Sequence, residues 1–244
     1  MAEKTTKRKY PLNEDSFKVL NRDCAYWIGY LYGDGNCTRE NMIRLCCSVK
    51  DKELLYSFRD FIQCITKPVK EFLSTLGYPS VRFDVRSWKI HKELSKYQLN
   101  KRKELRGHIH PDLMQKDIFA DFLRGIFDAD GTFYYDGLHK NHLFAEITGY
   151  KNLLIPLKQA LVSAGIIKDK KKIVKNGKIF RIRFPMKACI ALGEYMYKDS
   201  PKYYLRRKRG LFKQYLDRLN EKTQEREATV GDKTCITDHT HNIT

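Results

Sequence analysis

The sequence predicts an α+β protein of two similar halves, each reading helix, strands, helix, strands, helix, with basic sheet faces that together form one extended saddle. Three observations carry that expectation. A nine-residue pattern occurs twice, as WIGYLYGDG from Trp27 to Gly35 and LRGIFDADG from Leu123 to Gly131, at a spacing of 96 residues. Behind each copy, stretches of strict alternation and of helical spacing follow in the same order. The chain of 244 residues carries 47 Lys and Arg against 29 Asp and Glu, a net charge of +18. That length accommodates two units of about 100 residues, each with its own core.

In chain order, residues 1–10 (MAEKTTKRKY) read as a flexible basic arm, with Pro11 and Asn13 ahead of a helix entry. The first half occupies 11–99. After its motif, NMIRLCCSV from Asn41 to Val49 sets Ile43, Leu45, Cys47 and Val49 on one face and Arg44, Cys46 and Ser48 on the other, a half-buried strand. Asp51 to Ile65 places Leu54, Leu55, Phe58, Phe61, Ile62 and Ile65 at helical spacing. VRFDVR, Val81 to Arg86, alternates again with Arg82, Asp84 and Arg86 outward, and a helix runs through Lys92 to Tyr97. Residues 100–116 are charged, contain His110 and Pro111, and read as a linker.

The second half, 117–220, repeats this order. A strand ends at Glu146 to Thr148, Asn152 to Ala164 is helical, and KKIVKNGKIFRIRF from Lys171 to Phe184 is a hairpin. Its expected turn centres on Asn176 and Gly177, the two positive-φ positions of a type I′ turn. On the returning strand Phe180, Ile182 and Phe184 face in, and Arg181 and Arg183 face out. Residues 221–244 are polar and read as a mobile tail.

The repeated motif puts acids where helix physics disfavours them. Asp34 and Asp130 fall in the last turn of their helices, where the macrodipole makes an acid unfavourable by roughly 0.3–1 kcal/mol. Gly29 and Gly33 lie four apart on one face, and Gly125 and Ala129 hold the same two places in the second copy. Small residues at that spacing let two helix backbones approach, so the motif helices are expected to pack in parallel as the joint between the halves, with Ile28, Leu31, Ile126 and Phe127 in the cores. Gly35 and Gly131 are expected to end the helices in the left-handed conformation. The packing delivers both carboxylates to one place, and a cation between them relieves their repulsion. Mg²⁺ suits one or two carboxylates completed by water and phosphate oxygens.

Composition narrows the partners. No apolar run approaches the roughly 20 residues of a membrane span, and no apolar stretch follows the charged N-terminus, so an intracellular protein without a membrane partner is expected. Seven cysteines without a CxxC pair read as reduced thiols, and the pairs His108 with His110 and His139 with His142 lack further ligands at zinc spacing. The basic excess calls for a polyanion. Arg44, Arg82, Arg86, Arg181 and Arg183 on open strand faces are candidate base or phosphate contacts, with Lys175, Lys178 and the cluster Arg206 to Arg209 at the flanks.

These residues carry a resemblance. The two motifs are similar to the paired signature of the LAGLIDADG homing endonucleases, the second copy more closely, since the first has Tyr32 and Gly33 where the family name has Asp and Ala. KELSKYQLNKRKEL (Lys92 to Leu105), EITGYKNLL (Glu146 to Leu154) and YMYKDSPKYYLRRK (Tyr195 to Lys208) also resemble segments of single-chain members, so the likeness covers roughly residues 20–218. The resemblance implies a monomer of two pseudo-symmetric αββαββα halves whose saddle sheets enter the major groove of duplex DNA. It implies Asp34 and Asp130 as catalytic metal ligands, with the carbonyls of Gly33 and Ala129 as further ligands and Mg²⁺ as cofactor, Ca²⁺ or Mn²⁺ substituting in binding or activity. The reaction implied is hydrolysis of one phosphodiester per strand, a double-strand break with short 3′ overhangs at a long site, as in intron homing. Arg86 and Arg183, with Lys89 and Lys187 as competitors, are expected as basic groups at the scissile phosphates, and Asp51 as a water-ordering residue whose counterpart is Gly149 or Tyr150. The other reading is a non-cleaving binder on the same fold, either an intron RNA maturase or a DNA-binding regulator.

Overall fold

From Cys24 to Gly33 the chain has no charged side chain, and Asn21 ahead of it accepts a hydrogen bond from the Cys24 amide at 2.9 Å, an N-cap that starts a helix. The computed structural model describes residues 8–37, 40–106, 108–135, 137 and 141–234. In it this segment is α1 (Arg22–Asp34), buried without a break from Cys24 to Gly33. A helix apolar on all sides needs partners on all sides. The first half supplies them with β1 (Gly35–Cys37), β2 (Met42–Ser48), α2 (Lys52–Phe61), β3 (Lys70–Leu73), β4 (Pro79–Arg86) and α3 (Trp88–Lys96).

The second half repeats the order with α4 (Phe119–Asp130), β5 (Gly131–Tyr135), β6 (Leu143–Gly149), α5 (Lys151–Ser163), β7 (Val174–Asn176), β8 (Ile179–Phe184) and α6 (Met186–Tyr197). Each half is therefore αββαββα. Each carries a four-stranded antiparallel sheet, ordered β1-β2-β4-β3 in the first and β5-β6-β8-β7 in the second. Helices cover one face of each sheet, where Ile43, Leu45, Val81, Phe83 and Val85 are buried in the first half and Ala145, Ile147, Ile182 and Phe184 in the second. A long helix, α7 (Arg206–Thr234), follows α6 and buries Phe212 and Tyr215 against the second half. Among the described residues no helix is long and apolar enough to cross a membrane.

Four local expectations are corrected. Gly35 and Gly131 do not take the left-handed conformation, because φ/ψ are −88/150 and −96/162 and the chain passes straight from helix into strand. Their requirement is room: a methyl at Gly35 would lie 2.6 Å from Leu31 Cα, and one at Gly131 2.7 Å from the Phe127 oxygen. The helix expected to reach Ile65 stops at Phe61, followed by Gln63 at φ 54. The β7–β8 turn is Gly177–Lys178, not Asn176–Gly177, since Asn176 pairs with Ile179 as a strand residue and only Gly177 has positive φ. From 221 onward the chain does not leave the fold at once but continues α7 to Thr234, in a stretch rich in Glu, Lys, Gln and Arg, which are good helix formers. Residues 1–7 of the expected arm and 235–244 of the expected tail lie outside the described residues.

Candidate active site

The site is built where α1 and α4 meet. A methyl at Gly29 would lie 2.2 Å from the Phe122 carbonyl oxygen, one at Gly125 2.1 Å from that of Tyr26, and one at Gly33 2.3 Å from Ala129 Cβ. Contacts advance together along both chains, so the helices run parallel, and only residues this small permit backbone-to-backbone contact. Tyr26 on α1 stacks with Tyr203, Trp27 meets the same ring at a tilt of 54°, and Tyr32 meets Phe122 edge to face, which fixes the rotation of α1 about its axis.

The consequence of that packing is the position of the acids. The methyl position at Gly33 is 2.8 Å from Asp130 Oδ2, which sets the Asp130 carboxylate against the last turn of α1, beside the residue before Asp34. Asp34 keeps an exposed edge on a cleft of about 1110 Å³ shared with Asn36, Cys37, Cys46 and residues 99–106. Asp130 borders a separate, tighter cavity of about 240 Å³ with Tyr32, Thr148, Gly149, Tyr150 and Asn152. Lys103 and Arg106 wall both spaces. Protein crowding is the first cause that pushes the Asp34 carboxyl up to about 6, and the nearby Asp130 charge is the second; Lys103, Lys208 and a hydrogen bond from Tyr30 pull it back. Burial raises Asp130 as well, against Lys103, Lys208 and Arg106.

Two buried cations resolve the problem of acids at helix C-termini. Lys208, 4% exposed, donates from Nζ to the carbonyls of Phe127 (2.7 Å), Asp128 (2.8 Å) and Gly131 (2.6 Å), where α4 ends and β5 begins. Arg106, 6% exposed, donates to Tyr32 O at the end of α1 at 2.8 Å and to Lys101 O. Each cation sits in the field of a helix C-terminus, which favours it by up to about 2 kcal/mol in partly buried geometry. Burial nonetheless lowers Lys208 to about 8. Asp128, the first acid of DADG, is fully packed in the core, accepting from Tyr26 Oη at 2.8 Å and the Leu205 amide at 2.9 Å, and is pushed up to about 6 by burial. It is structural, not a cleft residue.

Sequence reasoning missed Lys103, Arg106 and Lys208 in these roles. A signal was present: NKRKEL and YLRRKR each follow the last helix of their half. The cluster Arg206 to Arg209, expected as an outer phosphate contact, instead contains the cap of α4.

The residues expected as basic partners of the acids stand elsewhere. Arg86 pairs with Met42, three positions along the ladder from the Leu45 that faces Gly35, about 10 Å away. Its guanidinium is held by Glu40 at 2.8 Å. Arg183 bonds Glu146 at 3.0 Å, two strands removed from β5, and is not the counterpart of Arg86: the ladder matches Arg183 to Asp84. Lys89 and Lys187 are exposed in the first turns of α3 and α6. None of the four borders either acid-lined space. Asp51 is gripped by Arg207, with Nε 3.0 and 3.1 Å from its two oxygens. As the residue ahead of α2 it matches Tyr150, which precedes α5 and borders the Asp130 cavity, so the two pockets differ.

The open sheet faces carry Arg44, Arg82 and Arg86 in the first half and Arg181 and Arg183 in the second. Among the described residues the buried Nε atoms of Arg44, Arg82 and Arg181 make no hydrogen bond, and Arg82 Nε lies 3.6 Å from Asp84 Oδ1 as an ion pair. Lys178 is exposed in the β7–β8 turn. Lys175 is a correction: it pairs with Phe180, so it lies on the face opposite the arginines.

Among the described residues no cluster of three or more His, Cys, Asp or Glu converges. The protein thus offers two carboxylates raised chiefly by burial, Asp34 also by the charge of Asp130, and nearby carbonyls, a donor set that suits a hard cation completing its shell with water and phosphate.

No family model matches the chain. A curated relative, the replication factor C small subunit of Methanocaldococcus jannaschii, is 29% identical over 174 residues, which is 70% of this chain and 9% of that protein. The chain therefore spans under a tenth of the length of the curated relative it matches. Among solved structures, the homing endonuclease I-WcaI bound to its DNA recognition sequence superposes with TM-score 0.55 at 16% identity, covering 80% of this chain and 91% of that one. The LAGLIDADG homing endonuclease I-GzeII in complex with its DNA target gives 0.53 at 12%, covering 93% and 99%. The LAGLIDADG meganuclease I-AabMI bound to uncleaved DNA gives 0.52 at 12%, covering 84% and 92%. The chain has the LAGLIDADG homing endonuclease fold.

Proposed function

We propose that this protein is a metal-dependent, site-specific endonuclease of duplex DNA that hydrolyses one phosphodiester per strand and leaves short 3′ overhangs. The observation that carries the reading is the delivery of two carboxylates, by two glycine-packed helices, to one place between two arginine-bearing sheets. A structural role alone gives no reason to bring two acids together at two helix C-termini, where burial first and the Asp130 charge second push the Asp34 carboxyl up to about 6.

Asp34 and Asp130, with the carbonyls of Gly33 and Ala129, would hold Mg²⁺. When bound, such an ion supplies an activated water and stabilises charge on attacking and leaving oxygens. Lys103, which faces both acids, neutralises charge on the phosphate between them. Lys208 and Arg106 hold the two helix ends, and so the carboxylates, in place. The sheet arginines bind the phosphates and guanine edges of a long duplex. The sites are unequal: Tyr30 bonds Asp34 while Thr148 Oγ1 bonds the Asp130 carbonyl at 3.0 Å, so the strands are cut at different rates.

The test uses duplexes enriched by binding from a random pool. Asp34→Asn and Asp130→Asn are expected to lower Mg²⁺-dependent cleavage by about 10²-fold or more while binding changes little. Full double-strand cutting by the double variant would refute the reading, and preference for structured RNA over every duplex would favour a maturase.

A further inference from the structure

The two sheets carry the same ladder with opposite charges on one rung. Level with the motif glycines, the buried rows are Gly35, Leu45, Phe83 and Gly131, Ile147, Ile182. One position on, the rows of the open face are Asn36, Arg44, Asp84 in the first sheet and Thr132, Glu146, Arg183 in the second. Arg44 and Glu146 therefore occupy one place in the repeat, and Asp84 and Arg183 another. The neighbouring row is not inverted, since Cys46 pairs with Arg82 and Thr148 with Arg181, arginine standing on the same strand in both halves.

The surroundings differ in the same sense. Among the described residues Arg44 Nε makes no hydrogen bond, and the one partner of its guanidinium is the Met42 sulfur at 3.5 Å, a weak acceptor. Asp84 is engaged instead by Lys67 at 3.4 Å and Arg82 at 3.6 Å, and among the described residues Arg44 forms no ion pair, so its terminal N–H groups are not committed to a carboxylate. In the second half Glu146 is 13% exposed and lies between Arg183 at 3.0 Å and Arg181 at 3.4 Å. Arg183 spends Nε on that contact and remains 52% exposed, leaving its terminal N–H groups for a partner.

Resting on the reading of these faces as DNA-binding, we propose that the Arg44/Asp84 and Glu146/Arg183 pairs are specificity-determining residues that read a guanine–cytosine pair in opposite senses. In the first half Arg44 donates to guanine O6 and N7 and Asp84 stands toward the cytosine amino group. In the second half a carboxylate at the place of Arg44 repels the two guanine acceptors and accepts from an amino group, which puts cytosine at Glu146 and guanine at Arg183. Two identical halves would demand guanine on one strand at the first place and on the complementary strand at the second. The inverted rung demands guanine on the same strand at both.

The experiment is selection of randomised duplexes by binding in EDTA, where nothing is cut, with wild type, Arg44→Gln, Glu146→Gln and Glu146→Arg. Wild type is expected to enrich guanine on one strand at two positions equidistant from the centre. Arg44→Gln relaxes the first position alone and Glu146→Gln the second alone, each by about tenfold or more. Glu146→Arg moves the second guanine to the other strand. Because that variant crowds three guanidinia, its fold is checked by circular dichroism, and the two glutamine variants decide the matter if it fails to fold. Enrichment of complementary bases at the two positions, or variants that leave both preferences unchanged, overturns the inversion while the DNA-binding reading stands. Enrichment of no duplex by wild type overturns both.

Discussion

Asp34 and Asp130 hold their places at a cost in stability. The Asp34 carboxyl has an ordinary value of 3.8 and sits near 6 in the folded chain, so between those values the folded form binds more protons than the unfolded one. Stability therefore falls as pH rises through that window and stays lower above it. Without metal, Asp34→Asn is expected to raise the melting temperature at pH 8, with the gap to wild type closing as pH falls to about 4. Melts in EDTA across that range check it; an equal gap at pH 4 and pH 8 would contradict the cause. This acid and its partner were legible in the sequence because their placement offends helix electrostatics. Their basic neighbours were not, because Lys103, Arg106 and Lys208 come from segments whose charge looks like that of any solvated loop until packing turns Lys103 to the acids and buries Arg106 and Lys208.

At the scale of elements the glycines of α1 and α4 decide the site. Gly125→Ala would force a methyl within 2.1 Å of a backbone oxygen, which no side-chain rotation relieves. A loss of the order of 1–3 kcal/mol is expected, read as a lower urea midpoint at unchanged slope. Gly210, in α7 with nothing within 4 Å of its methyl position, is the contrast: Gly210→Ala is expected to stabilise by about 0.5–1 kcal/mol. The order of helices and strands follows from periodicity, and β2 and β4 are recognisable from the alternation of Asn41 to Val49 and of Val81 to Arg86, with Val49 itself turning out of the strand. Element ends were less legible. Gly35 and Gly131 look like helix caps by residue type, yet the antiparallel partner of each β-strand draws them into extended backbone, and Asn176 is held in its strand by Ile179.

Over the whole molecule, charge and connectivity act together. The chain after α6 crosses to the first half, where Lys202 meets Asp23 at 3.2 Å, Arg206 meets Glu53 at 2.9 Å and Arg207 meets Asp51 at 3.0 Å. The linker crosses the other way, Asn152 donating to the carbonyls of Lys103, Glu104 and Arg106. Exposed ion pairs of this kind contribute at most about 1 kcal/mol each, so the α1–α4 joint, not the clasp, holds the halves together. On the proposed DNA-binding reading, a chain of net charge +18 with arginines on both open sheet faces is expected to bind duplex with a strong salt dependence. Raising salt from about 50 to 200 mM is expected to weaken duplex binding by about 10³-fold or more. Affinity titrations at several salt concentrations measure it, and a flat dependence would show that the sheet arginines do not neutralise phosphates.

The sequence by itself determined that the chain is a duplicated α+β unit, that two small-residue helix faces meet, and that two acids end those helices, because repeats, periodicity and spacing are local properties of the chain. Only the tertiary structure decided which cations stand beside the acids, that Asp128 is core while Asp130 lines a cavity, and that one rung of the sheets reverses its charge between the halves. Those facts depend on cross-strand register and on burial by segments distant in the chain, 102 residues for Tyr26 and Asp128 and 80 for Lys208 and Asp128. Residue type alone carries neither.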